Sequence, residues 1–255
     1  MTDEQRARLL GWEACHNVRD LGGYATADGG RTRWGAFVRA DNLRRLTPSG
    51  RDALLNYGVR TVIDLRRAAE LETDPNPFAV PADARLPIYL NLPMGLGADS
   101  VGRAAVAAAI ASEGASMVGL FRQVLDHYWR GIARVTTALA TAPDGAVLFH
   151  CHAGKDRTGL VAALLLALAG VPEQTIVEDY VLSQECLQPV FDERLSQEPD
   201  LEKRARLAQM IGAVPETMLS ILDHLNVRHG GAERYLLAAG VAASDIERLR
   251  RRVRE

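Results

Sequence analysis

Two apolar runs joined by a ten-residue polar link constrain this 255-residue chain more than anything else in it. Ala146-Val147-Leu148-Phe149 is short and reads as a buried strand, while Leu160 to Val171 is long enough for a buried helix. The link, His150-Cys151-His152-Ala153-Gly154-Lys155-Asp156-Arg157-Thr158-Gly159, is therefore a strand-to-helix loop. A cysteine lies near its start, an arginine near its end, and five residues stand between them.

Such a loop suits nucleophilic attack on phosphorus. A tight turn at a helix start aims successive backbone N–H groups at one centre, and these together with the helix dipole attract an anion. His152, Ala153, Gly154, Lys155 and Asp156 would line that cradle, with His150 supporting it from the strand. Gly154 lets the backbone bend. Arg157 adds a planar fork for two phosphate oxygens. The same positive field favours the thiolate of Cys151, which would attack in line and form a phosphocysteine. Thr158 could donate a hydrogen bond to the sulfur. Otherwise, a lone cysteine is a small buried hydrophobe. A Walker-type nucleotide loop is excluded, since Lys155 is followed by Asp156 rather than Ser or Thr. Zinc on His150, Cys151 and His152 is disfavoured, because adjacent ligands diverge near a strand and no second Cys/His pair stands out. No metal or cofactor is expected.

The loop resembles the signature of cysteine-dependent protein tyrosine phosphatases, and its Lys155-Asp156 pair points to a bacterial subgroup of tyrosine and lipid phosphatases. Asn17-Val-Arg-Asp-Leu-Gly-Gly23, Phe37-Val-Arg-Ala-Asp-Asn-Leu43, Gly58-Val-Arg-Thr-Val-Ile-Asp-Leu-Arg66, Glu70 and Gly230-Gly-Ala-Glu-Arg-Tyr-Leu236 extend the match over most of the chain. The resemblance implies a phosphomonoester hydrolase acting on phosphotyrosine, with phosphoserine, phosphothreonine and phosphoinositides as further substrates. A phosphate-binding module that keeps the loop without catalysis is the alternative. No Trp-Pro-Asp sequence is present to supply a general acid. Two candidates remain, Asp156 in the loop and Asp64 at the end of its strand; the resemblance favours Asp156, with Asp64 assisting. Asn17, Arg19 and Asp20 could support the loop. Lys155 is expected near the rim of the pocket, where a second cation would favour substrates with more than one phosphate; ion pairing with an aspartate is the other reading.

The rest of the chain fits an α/β fold, a mainly parallel sheet flanked by helices. One phosphatase domain over 1–255 is expected, with helical insertions near 94–130 and 183–212 that the resemblance implies form a lid. Residues 183–199 read as polar chain broken by two prolines. The net charge of −2 gives no sign of a nucleic-acid or anionic-membrane surface. Three widely spaced cysteines argue for a reducing compartment rather than a disulfide framework. The first residues lack the apolar core of a signal peptide, and no run approaches the roughly 18 residues of a membrane span. A cytoplasmic protein follows, with export lacking such a signal left open by the family. The physiological substrate and oligomeric state are not legible.

Overall fold

The computed structural model describes residues 1–80, 83, 85–94 and 117–254. After a short helix, α1 (Asp3–Arg8), come β1 (Arg19–Asp20) and β2 (Phe37–Ala40). The first crossover uses α2 (Pro48–Asn56), where Thr47 Oγ1 accepts from the Gly50 N–H and Pro48 takes the first turn, as the Thr-Pro pair predicts. Then follow β3 (Val59–Asp64), α3 (Ala68–Thr73) and β4 (Ile88–Asn91). Part of the expected insertion at 94–130 lies outside the described residues. Its end forms α4 (Met117–His127), and α5 (Trp129–Thr141) leads into β5 (Ala146–His150).

Among the described residues, five strands run in the order β1-β2-β5-β3-β4. Only β1 is antiparallel to its neighbour; β2, β5, β3 and β4 are parallel. β5 is central and buried along its length, which explains its unbroken apolar run. It pairs Ala40 with His150 on one side and Asp64 with His150 on the other. Three strand ends thus meet at the start of the polar loop, the edge where parallel sheets bind ligands.

Helix α6 (Asp156–Ala169) leaves that loop and is buried almost all round. The segment expected to be broken at its prolines is instead helical to Ser196. Helix α7 (Glu173–Ser196) carries Pro189 in its interior. Leu187 and Phe191, on either side of Pro189, are buried against Ile211, and this cluster holds the turn in place. Helices α8 (Leu201–Ile211), α9 (Pro215–His229), α10 (Ala232–Ala238) and α11 (Ala243–Val253) complete the chain. Among the described residues no helix is long and apolar enough to cross a membrane.

Candidate active site

Cys151 follows directly on β5 and is 3% exposed, at the floor of the loop. Gly154 shows why this backbone needs glycine. Its φ is +64°, and a Cβ there would lie 2.4 Å from the carbonyl oxygen of Ala40. The loop is pressed against the end of β2 so closely that no side chain fits between. The Asn42 N–H donates to the His152 carbonyl at 3.0 Å, adding a second tie to the same segment.

Two further ties come from buried side chains. Asn17 Nδ2 donates to the Ala153 carbonyl at 3.0 Å, and Arg39 Nη2 donates to the Gly154 carbonyl at 2.7 Å. Asn17 is itself held by Arg19, and Arg19 and Arg39 converge on the carboxylate of Asp179, which also accepts from the Tyr24 hydroxyl at 2.8 Å. All of these groups are buried. Burial pushes the Asp179 pKa up, but the two guanidinium groups outweigh it and hold the carboxyl well below the usual range. With its carbonyls bound outward in this way, the loop's peptide units are oriented from behind. Asn17 thus touches the loop directly, and Arg19 reaches it only through Asn17. Asp20 does not: it turns to the N–H groups of Gly22 and Gly35 and to the Tyr57 hydroxyl, stabilising the turn before β2.

Arg157 is held by Glu70. Its two terminal nitrogens each lie 2.8 Å from one carboxylate oxygen, and a third bond of 3.3 Å reaches the Leu65 carbonyl. Burial lowers the pKa of the guanidinium, but neighbouring Cys151 and Glu70 raise it above its ordinary value. Glu70 is correspondingly lowered to about 2, burial being outweighed chiefly by Arg157. Glu70 thus fixes the fork near enough to Cys151 for the two groups to influence each other, leaving its remaining N–H groups for a phosphate.

Lys155 departs from the expected position. It is 2% exposed, and its ammonium donates to the carbonyls of Ile211 and Gly212 at 2.8 Å each and of Met210 at 3.3 Å. It caps the C-terminus of α8, where a cation meets the negative end of the helix dipole. The ammonium also lies 3.4 Å from Asp156 Oδ1, the ion pair given as the other reading, and does not reach the rim.

The two candidate acids separate cleanly. Asp64 is fully buried and accepts from Arg66 through both oxygens, from Asn76 Nδ2 at 2.9 Å and from the Tyr89 hydroxyl at 3.3 Å. Burial would push its pKa up, but His150, whose Nε2 lies 3.3 Å from Oδ2, followed by Arg66 and Asn76, holds it well below the carboxylate range. A group so ionised and so fully buried has no proton to give. Its work is structural. Asn76 Oδ1 accepts from the Phe78 N–H, so its Nδ2 faces both Asp64 and His150 Nε2 (2.8 Å). On its other side the His150 ring places Nδ1 3.0 Å from the Cys151 carbonyl. Asp156 is the opposite case. Burial raises its pKa, and Lys155, Arg157 and the Tyr180 hydroxyl at 3.4 Å only partly offset this. Its side chain keeps 31% exposure, so a substrate oxygen can reach it.

Thr158 Oγ1 is buried without a hydrogen-bond partner, so the expected bond to sulfur is not made. Glu70, Arg39 and Asp179 received no role from the sequence. The available signal was a charge on an apolar stripe: Arg39 between Val38 and Ala40, and Asp179 among Ile176, Tyr180 and Ser183.

The description of the tyrosine phosphatase family matches residues 10–255, nearly the whole chain. The chain belongs to the tyrosine phosphatase family. A tyrosine-protein phosphatase of Nostoc commune is 38% identical to it over 232 residues, covering 86% of this chain and 74% of that protein. The triple specificity protein phosphatase PtpB of Mycobacterium tuberculosis is 30% identical over 268 residues, covering 92% and 95%. This phosphatase thus carries the Cys151–Arg157 loop on an α/β sheet flanked by helices, as the resemblance implied.

Proposed function

We propose that this phosphatase hydrolyses phosphotyrosine in proteins through a phosphocysteine on Cys151, with Asp156 as the acid and base. The observation that carries this is the Arg157 fork, fixed by Glu70 beside the buried sulfur. The phosphoryl group lies between the loop N–H groups and the fork. The sulfur attacks phosphorus as the ester oxygen departs with the Asp156 proton. Ionised Asp156 then takes a proton from water, whose oxygen attacks phosphorus and releases phosphate and the thiolate. The Thr158 hydroxyl, buried and unpartnered, is free to donate to the sulfur as it leaves.

Substrate breadth over phosphoserine and phosphothreonine is supported by the name of the mycobacterial relative. The charge argument for phosphoinositides loses its carrier, because the Lys155 ammonium is bound to α8. Three free cysteines support a reducing, cytoplasmic setting. The decisive experiment is Cys151→Ser. The variant should lose turnover of para-nitrophenyl phosphate while still binding phosphate, and the native protein should yield a trapped phosphocysteine on rapid quenching. Turnover by the variant would overturn the reading.

A further inference from the structure

Away from the loop, the last turns of α4 and α9 bring Asp126, His224 and His229 together. Asp126 Oδ1 lies 2.9 Å from His224 Nε2 and 3.3 Å from His229 Nε2, and the three atoms fall within 4.8 Å of one another. The side chains are 15%, 13% and 21% exposed, so the cluster is sheltered but open on one side. One turn earlier, Arg122 donates to Ser220 at 2.9 Å, which fixes the register of the two helices.

We propose that Asp126, His224 and His229 form a zinc-binding site. Imidazole nitrogen with one carboxylate is a donor set for zinc and its late first-row neighbours, and three protein ligands leave a fourth position to solvent. At metal–ligand bonds of about 2.0–2.2 Å, the edges of a tetrahedron are about 3.3–3.6 Å. The observed 3.3 Å separation already meets this, and the 2.9 Å one needs to open by a few tenths of an ångström. Both histidines present Nε2, so no ring needs to turn.

The hydrogen-bonding alternative is crowded. One oxygen, Asp126 Oδ1, faces both imidazoles and also Arg228 Nε at 3.1 Å. That is more donors than a carboxylate oxygen accommodates well. A metal ion replaces the two imidazole contacts by bonds, and Arg228, whose side chain is 61% exposed, is free to swing into solvent. The guanidinium is thus a competitor for the site. Sequence reading passes over this cluster because His224 and His229 are five apart and their carboxylate partner lies on a distant helix.

The test uses the full chain with Cys151→Ser, since the thiolate is itself a zinc ligand. Zinc titration against a chromophoric chelator should show one equivalent bound, and zinc should raise Tm. Adding Asp126→Asn, His224→Gln or His229→Gln should each weaken binding by about tenfold or more and abolish the Tm rise. Adding Arg228→Ala should tighten binding severalfold, which a purely structural ion pair would not do. Cobalt should give the visible spectrum of a four-coordinate ion only when all three ligands are present. Failure of the Cys151→Ser protein to bind zinc would overturn the site. So would undiminished affinity in the His229→Gln variant, which lies in the final turn of α9 and serves if His224→Gln does not fold.

Discussion

Asp156 in the loop and Asp64 at the end of β3 show how environment sorts two identical carboxyls. Asp64 is ringed by His150, Arg66 and Asn76 and stays ionised; Asp156 is desolvated by burial more than Lys155, Arg157 and Tyr180 offset, and holds its proton longer. Asp156→Asn should therefore lower kcat on a phosphoserine peptide by about 10²-fold or more, within the span of general acid catalysis. The loss should be smaller on para-nitrophenyl phosphate, whose leaving group needs no proton. Equal losses on both substrates would remove Asp156 from the acid role. The sign of its raised pKa also fixes the pH limb. Asp156 is protonated below its folded-state value and loses the proton as pH rises through it, so the alkaline fall of kcat on phosphoserine should vanish in the variant. Cys151 and Arg157 were legible because they are near neighbours in the chain. The choice between the aspartates was not, because it depends on groups brought in from residues 66, 76, 89 and 180.

At the scale of elements, the loop is held by what lies behind it. Asp179 on α7 neutralises Arg19 and Arg39; Asn17, held by Arg19, grips the Ala153 carbonyl, and Arg39 itself grips that of Gly154. Asp179→Asn should cost about 3–5 kcal/mol, since it leaves two buried guanidinium groups facing one neutral amide. Urea denaturation read by far-ultraviolet circular dichroism measures this, and a loss under ~1 kcal/mol would show that the arginines find other partners. The strand–loop–helix unit and the Thr47-Pro48 helix start were readable because their signals are local. Pro189 misled for the same reason: the local cue for a break was overridden by Leu187 and Phe191 packing on Ile211. Lys155 misled through its apparent place beside Arg157: besides Asp156, its partners are the last carbonyls of a helix more than fifty residues on.

For the whole molecule, acid stability follows from the carboxylates held low. Asp64, Asp179 and Glu70 all have folded-state pKa values below those of the unfolded chain. Each contributes stability present above its unfolded value of about 4 and lost as pH falls through the folded one. The urea midpoint should thus fall steeply from about pH 4 downward, and Asp179→Asn should flatten that fall. An unchanged slope in the variant would mean that the other carboxylates govern it. A last consequence belongs to the order of strands. β5 lies between β2 and β3, yet it is made about eighty residues after β3 ends. During synthesis the first half of the chain therefore holds two strand edges open around a gap, and only residues 146–150 can close it. Non-local closure of this kind is slow. Refolding followed by pulsed hydrogen exchange should protect β2, β3 and β5 in one step, with phosphatase activity returning in that same phase. Protection of β2 and β3 well ahead of β5 would show that the two strands first pair with each other.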